Sequence, residues 1–236
     1  MTGSLYIVST PIGNPDDITL RALSTLKTVA AIAAEDPQCT QALLARHGIT
    51  TPLTSYHNEN MEEKIPVLIQ RMKEGQSIAL VSDAGTPAIV DPGARLIHEA
   101  LKQNIPVVSV PGPSALLAAL TASNLPGEAF VFIGPLPSQP AACRKFLRAL
   151  RPERRTIVGF GSSVRLSATL KTLRAELGNR RIAVACNLTT PTERWIRGTI
   201  DGILHAHTAQ AARGELTLVI EGARPGRKNR SKRKQN

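Results

Sequence analysis

Aromatic residues make up only 3% of this 236-residue chain, and no segment carries the paired aromatics of an RNA-recognition strand, so base stacking is not its main binding device. Cysteine is equally scarce. Cys39, Cys143 and Cys186 are odd in number, far apart and without a CxxC pair or nearby histidines, which argues against a disulfide framework and against a zinc or other metal site. A reduced, cytoplasmic compartment is expected. No apolar run reaches 18 residues, and the N-terminus enters a strand pattern without a basic stretch, so neither a membrane span nor a signal peptide is expected. Also missing are a Walker A lysine loop, an H-E-x-x-H pair and a G-x-S-x-G elbow.

Acid is missing from one stretch in particular. The formal net charge is +11, and seven of those charges fall in the acid-free segment Arg224 to Asn236. A segment of like charges with almost no apolar residues cannot offset the entropy of ordering, so residues 224–236 are expected to form a disordered tail that seeks a polyanion. A second basic cluster, Arg144, Lys145, Arg148, Arg151, Arg154 and Arg155, surrounds Glu153 on or beside an expected helix. Contact with nucleic-acid phosphates is the functional reading of the tail; simple solubility is the bland one.

What is present is an alternation of short apolar runs with amphipathic stretches, the pattern of a largely parallel sheet covered by helices on both faces. Strands are expected at Leu5–Val8, Ser77–Val81 and Val107–Val110. Helices are expected after Asp16 or Asp17 as cap, through Thr40–Arg46, over Met61–Glu74 with Pro66 marking a kink or a later start, over about Gly93–Lys102, and from Ser114 to Asn124. Asn124-Leu125-Pro126-Gly127 is the expected boundary, dividing the chain into an N-terminal α/β domain (1–125), a C-terminal α/β domain with a more mixed sheet (126–223) and the tail (224–236).

Three of the strands empty into loops of small residues: Ser9-Thr10-Pro11-Ile12-Gly13-Asn14, Ser82-Asp83-Ala84-Gly85-Thr86-Pro87 and Pro111-Gly112-Pro113-Ser114-Ala115. At the carboxyl ends of parallel strands such loops let backbone approach a small ligand closely. Glu35, Asp36, Asp83, Asp91 and His57 share that address. Each alone is better explained by a turn or a cap; together they are candidates for acid–base work. Gly159-Phe160-Gly161-Ser162-Ser163-Val164 reads as a strand-to-helix turn but lacks the third glycine and the downstream acid of a dinucleotide site.

These loops, taken with Asp17-Ile18-Thr19-Leu20-Arg21-Ala22-Leu23, Ala34-Glu35-Asp36, Ser55-Tyr56-His57 and Asp91-Pro92-Gly93, resemble the tetrapyrrole methylase superfamily, and within it the ribosomal RNA small subunit methyltransferase I branch. The resemblance runs from Leu5 to Gly222. It implies a class III methyltransferase: two α/β domains with a cofactor cleft between them, homodimeric, binding S-adenosylmethionine and no metal. It implies as acceptor a ribose 2′-hydroxyl, on a cytidine, in small-subunit (16S) ribosomal RNA. Carried over residue by residue, the cofactor shell comprises Pro11, Asp83, Ala84, Gly85, Thr86, Ser114, Ala115, Leu188 and Thr189. Glu35, Asp36 and His57 are the candidate bases.

The chain departs from the branch where it has Glu35-Asp36-Pro37-Gln38 for Glu-Asp-Thr-Arg, Phe160-Gly161-Ser162-Ser163-Val164-Arg165 for Tyr-Glu-Ser-Pro-His-Arg, and Cys186-Asn187-Leu188-Thr189-Thr190 for Arg-Glu-Leu-Thr-Lys. Acids are thereby gone at Gly161 and Asn187, and a histidine at Val164. Three readings stay open at this point: an RNA 2′-O-methyltransferase, a catalytically weak relative that binds cofactor and RNA, and a small-molecule (tetrapyrrole) methylase.

Overall fold

In the computed structural model, which describes residues 2–206 and 214–224, the chain divides into two compact units. The first holds residues up to Ala118 together with Leu188–Pro191, and the second holds the rest. The division falls at Ala118/Ala119, inside a helix, whereas the turn-forming residues point to a boundary after residue 125. Of the expected tail only Arg224 lies among the described residues; 225–236 lie outside them.

The first unit contains β1 (Leu5–Val8), α1 (Leu20–Thr28), β2 (Ala31–Ala34), α2 (Pro37–Arg46), β3 (Leu53–Ser55), α3 (Met61–Lys73), β4 (Ile78–Val81), α4 (Ala94–Lys102) and β5 (Val107–Val110), followed by α5 (Ala115–Ala122). All five strands are parallel, in the order β3-β2-β4-β1-β5. Side chains alternate between the two faces. Leu5, Ile7, Ala31, Ala33, Ile78 and Leu80 pack with α3 and α4, while Val8, Ile32, Ala34, Ala79 and Val81 pack with α1 and α2. A sheet buried on both sides this way explains strands that read as unbroken apolar runs.

Local chemistry sets the helix starts. Thr19, not Asp16 or Asp17, caps α1 by accepting from Ala22 N–H at 3.1 Å; Pro15–Asp17 forms a separate 3-10 turn. Asp36 caps α2, whose first residue Pro37 lies three before the expected start, by accepting from the N–H groups of Gln38 at 2.8 Å and Cys39 at 3.4 Å. Pro66 lies within α3, which runs from Met61 to Lys73 as one helix.

The second unit contains β6 (Phe130–Pro135), α6 (Pro140–Ala149), β7 (Thr156–Ser162), α7 (Leu166–Leu177), β8 (Arg181–Cys186), β9 (Arg194–Thr199), α8 (Ile200–His205) and β10 (Glu215–Ile220). Its sheet has the order β6-β7-β10-β8-β9 and is mixed: β6 and β7 are parallel, and the other three pairings are antiparallel. Helices α6, α7 and α8 cover one face through Leu147, Leu166, Leu170, Leu173, Ile200 and Ile203. Gly159 to Ser162 are strand, not turn, because β7 continues in register against β10 as far as Ser162–Glu215. Among the described residues no disulfide joins the three cysteines, and no helix is long and apolar enough to cross a membrane.

Candidate functional site

The carboxyl ends of β1 to β5 all lie on one edge of the first sheet, because every strand there is parallel. Between β1 and β4 the chain leaves in opposite directions: α1, after β1, packs on one face, and α4, after β4, packs on the other. Such a switch point opens a crevice outside the sheet, the usual ligand position of open α/β folds.

The two loops that meet there are bonded to one another. Thr10 N–H donates to the Gly85 carbonyl at 2.8 Å, and Gly85 N–H returns the bond to Thr10 at 3.1 Å. The Thr10 hydroxyl also donates to the Ser82 carbonyl at 3.0 Å. Gly85 holds φ of 87°, and a Cβ there would lie 3.3 Å from the Ile12 side chain, so both conformation and space call for glycine. The third loop joins through Thr86, whose hydroxyl lies 3.0 Å from Ser9 Oγ and donates to the Pro113 carbonyl at 3.3 Å. A Cβ on Gly112 would stand 3.0 Å from Ser9 Cβ. Three loops far apart in sequence thus form one cradle with little side chain between them.

Leu188–Pro191 belongs to the same unit. Thr189 Oγ1 accepts from Asn14 N–H at 2.9 Å, and a Cβ on Gly13 would lie 2.4 Å from the Leu188 carbonyl oxygen. Thr189 adopts φ of 64°, a strained conformation for a β-branched residue, two positions after Asn187 at φ 50°. Of the expected cofactor shell, Gly85 and Leu188 are buried, Pro11, Thr86, Ser114, Ala115 and Thr189 are half-buried, and Asp83 and Ala84 are exposed.

The three candidate bases separate once their hydrogen bonds are known. Asp36 uses its carboxylate to cap α2, and its own N–H donates to Asp83 Oδ1 at 2.9 Å. His57 is held by Asn60, whose side-chain oxygen accepts from His57 N–H at 2.9 Å. The Asn60 amide nitrogen lies 2.9 Å from Ser55 Oγ and 3.0 Å from His57 Nε2. The Asn60 side chain thus bridges Ser55 and His57. Glu35 is the group whose acidity is disturbed: burial first, then the charges of Asp91 and Asp83, push its carboxyl above the ordinary glutamate range. A bond from the Asp83 backbone and the nearby His57 hold the shift in check. Burial and the charges of Asp83 and Asp36 push the Cys39 thiol up.

Ser82 opens the second small-residue loop, whereas Asn60 has no sequence signal of its own. Ser82 Oγ is buried beneath the second loop with no hydrogen-bond partner among the described residues, and Asn60 orients His57 from the start of α3. Gly161, Val164 and Asn187 lie in the second unit with other tasks. Asn187 occupies the space over Gly214, where a Cβ would come within 1.9 Å of its side-chain oxygen, and its amide donates to Thr192 at 3.2 Å. Gly161 pairs with Leu216 across the sheet, and Val164 is 92% exposed.

Residues 4–204 match the family model described as Tetrapyrrole (Corrin/Porphyrin) Methylases. The chain is 44% identical over 220 residues to a protein of Halalkalibacterium halodurans named Ribosomal RNA small subunit methyltransferase I, covering 93% of this chain and 76% of that protein. It is 40% identical to a Thermotoga maritima protein of the same name, covering 93% of this chain and 99% of that one. Among solved structures, a cobalt precorrin-4 methyltransferase superposes with a TM-score of 0.69 at 21% identity, over 92% of this chain and 94% of that one, a likeness of fold. The chain belongs to the tetrapyrrole (corrin/porphyrin) methylases, in the branch of the ribosomal RNA small subunit methyltransferases I.

Proposed function

We propose that this protein is an S-adenosylmethionine-dependent methyltransferase that modifies a ribose 2′-hydroxyl of small-subunit ribosomal RNA, with Glu35 as the base. One observation carries the reading: three small-residue loops are bonded into a cradle at the switch point, with a carboxylate of raised pKa at its side. The donor set suits the cofactor. Ala84, Gly85 and Ala115 leave room for a flat ring, Asp83 offers a carboxylate to ribose hydroxyls, and the buried Ser82 hydroxyl lacks a partner that a ligand can supply. Pro11, Thr86, Ser114, Leu188 and Thr189 would complete the shell. The acidic edge formed by Glu35, Asp36, Asp83 and Asp91 favours a cationic ligand.

When bound, the cofactor supplies an electrophilic methyl group on a positively charged sulfur, which needs no metal. The chain supplies alignment and a place for a proton. A ribose hydroxyl is a poor nucleophile, and a carboxylate whose pKa has moved toward neutrality accepts its proton more readily than an ordinary one. Asp36 and His57 then act on position: Asp36 fixes the first turn of α2 beside Glu35, and His57 contributes a favourable charge interaction at Glu35.

The retained Glu35, with its raised pKa, favours an active enzyme over a weak binding relative. Loss of side chains at Gly161, Val164 and Asn187 is expected to slow transfer relative to the branch, because a misplacement of about 1 Å costs on the order of a hundredfold in rate. A homodimer working in the cytoplasm completes the proposal.

Calorimetry with S-adenosylmethionine and S-adenosylhomocysteine in the presence of a chelator is expected to give saturable binding heat. Labelled methyl transfer to isolated small subunits is expected above background. Absence of binding heat at several temperatures, with the protein folded by circular dichroism, overturns the cofactor assignment.

A further inference from the structure

We propose that the exposed face of α6 in the second unit docks the phosphate backbone of the ribosomal RNA substrate; this rests on the RNA methyltransferase reading above. Helix α6 is oriented by its buried side, Cys143 and Leu147, with Phe146 and Leu150 packed against the same core. Fixing that side fixes the other. Arg144 and Arg148 are one turn apart on the outward face, and Arg151, just past the helix, continues the i, i+4, i+7 stripe. Seven residues at about 1.5 Å each make a basic stripe of roughly 10 Å. Lys145 and Arg154 are exposed beside it.

The stripe has too little acid to neutralise it. Arg148 makes a two-pronged bond with Glu176 of α7, Nε at 3.0 Å and Nη2 at 3.3 Å. Arg144 and Arg151 add to Arg148 in holding the Glu176 carboxyl below the ordinary range, so three guanidiniums gather about one carboxylate. Nearby, Glu153 is taken by Arg155, at 2.9 and 2.7 Å.

The base of the stripe is held as well. The buried guanidinium of Arg180 donates to the Arg151 carbonyl at 2.7 Å, to the Glu221 carbonyl at 3.2 Å and to the Leu177 carbonyl at 3.1 Å, which ties the end of α6 to α7 and β10. Excess cationic forks at fixed spacing on a braced helix suit a row of phosphates better than an acidic peptide, whose carboxylates have no fixed spacing.

The test uses the full chain and measures its affinity for isolated small ribosomal subunits and for their RNA at several salt concentrations. The combined Arg144→Gln, Arg148→Gln and Arg151→Gln variant is expected to flatten the log–log salt slope by about 0.7 for each single-strand phosphate left without its cation, or about 2 for all three. S-adenosylhomocysteine binding is expected to remain unchanged. Glu176→Gln is expected to tighten RNA binding by removing the competing carboxylate. The single variant Arg144→Glu, at an exposed position, repeats the test with the least risk to folding.

Wild-type slope and affinity in both the triple and the single variant overturn the proposal while leaving the RNA reading standing. No RNA binding by the wild type at low salt removes both. A loss of RNA affinity accompanied by a shift from dimer to monomer in sedimentation assigns the face to subunit contact and overturns the proposal.

Discussion

Glu35→Gln is expected to lower methyl transfer to the small subunit by about 10²–10⁴-fold, the usual effect of removing a positioned base, while S-adenosylhomocysteine still binds. In the wild type the single-turnover rate is expected to rise with pH through the Glu35 pKa, which lies above the ordinary glutamate value because of burial, Asp91 and Asp83. The same variant is expected to be more stable than the wild type at neutral pH. Below the unfolded pKa of glutamate, about 4.3, the carboxyl is protonated in both states and the fold keeps its full contribution. As pH rises through the higher folded pKa, the fold must hold a charge beside two other carboxylates, and that contribution is lost. Glutamine, neutral throughout, avoids the loss. The gap in melting temperature between variant and wild type should therefore open with rising pH and close in acid. Asp36→Asn and His57→Ala are the comparisons, with smaller losses of rate expected from both. Full transfer by Glu35→Gln with none by Asp36→Asn would hand the proton to Asp36.

The first unit is legible in the sequence where pattern is local. Three apolar runs end in small-residue loops, and each run is a strand of the parallel sheet. Strand β2 is harder to read, since Ala31–Ala34 is buried on both faces and so carries no alternation. The helix starts at Thr19 and Asp36 differ from the expected ones because several Asp and Thr residues compete for the cap, and only geometry decides which side chain reaches a free N–H. The strand Thr156–Ser162 runs past its glycines because β10 pairs with them, a long-range contact without a local mark. The bond between Asn14 and Thr189, 175 residues apart, is of the same kind. Family resemblance supplies Leu188 and Thr189; periodicity does not. Glu35, Asp36 and His57 stand as equals in the sequence because they differ only in what surrounds them once folded.

Arg180→Ala is expected to be the most damaging single change in the second unit. Arg180 is 7% exposed, and its one guanidinium donates to the carbonyls of Leu177, Glu221 and Arg151. Burial lowers its pKa, with Glu221 and Glu153 opposing, yet a guanidinium starts so far above neutrality that it keeps its charge. Bonds from a charged donor contribute about 1.5–3 kcal/mol each, and water entering the vacated space would recover part of that, so a net loss of about 3 kcal/mol is expected. Arg180→Lys is expected to fall between the two, because an ammonium is a point charge that cannot span three carbonyls as a planar fork does. Trp195, the one tryptophan of the chain, sits on β9 in the second unit, so its fluorescence in urea follows that unit rather than the whole chain. A shift of the Trp195 midpoint with the slope preserved is the expected result. An Arg180→Ala midpoint equal to that of the wild type would mean that the three carbonyls are satisfied without the guanidinium, and the bracing of α6 through Arg151 would have to come from elsewhere.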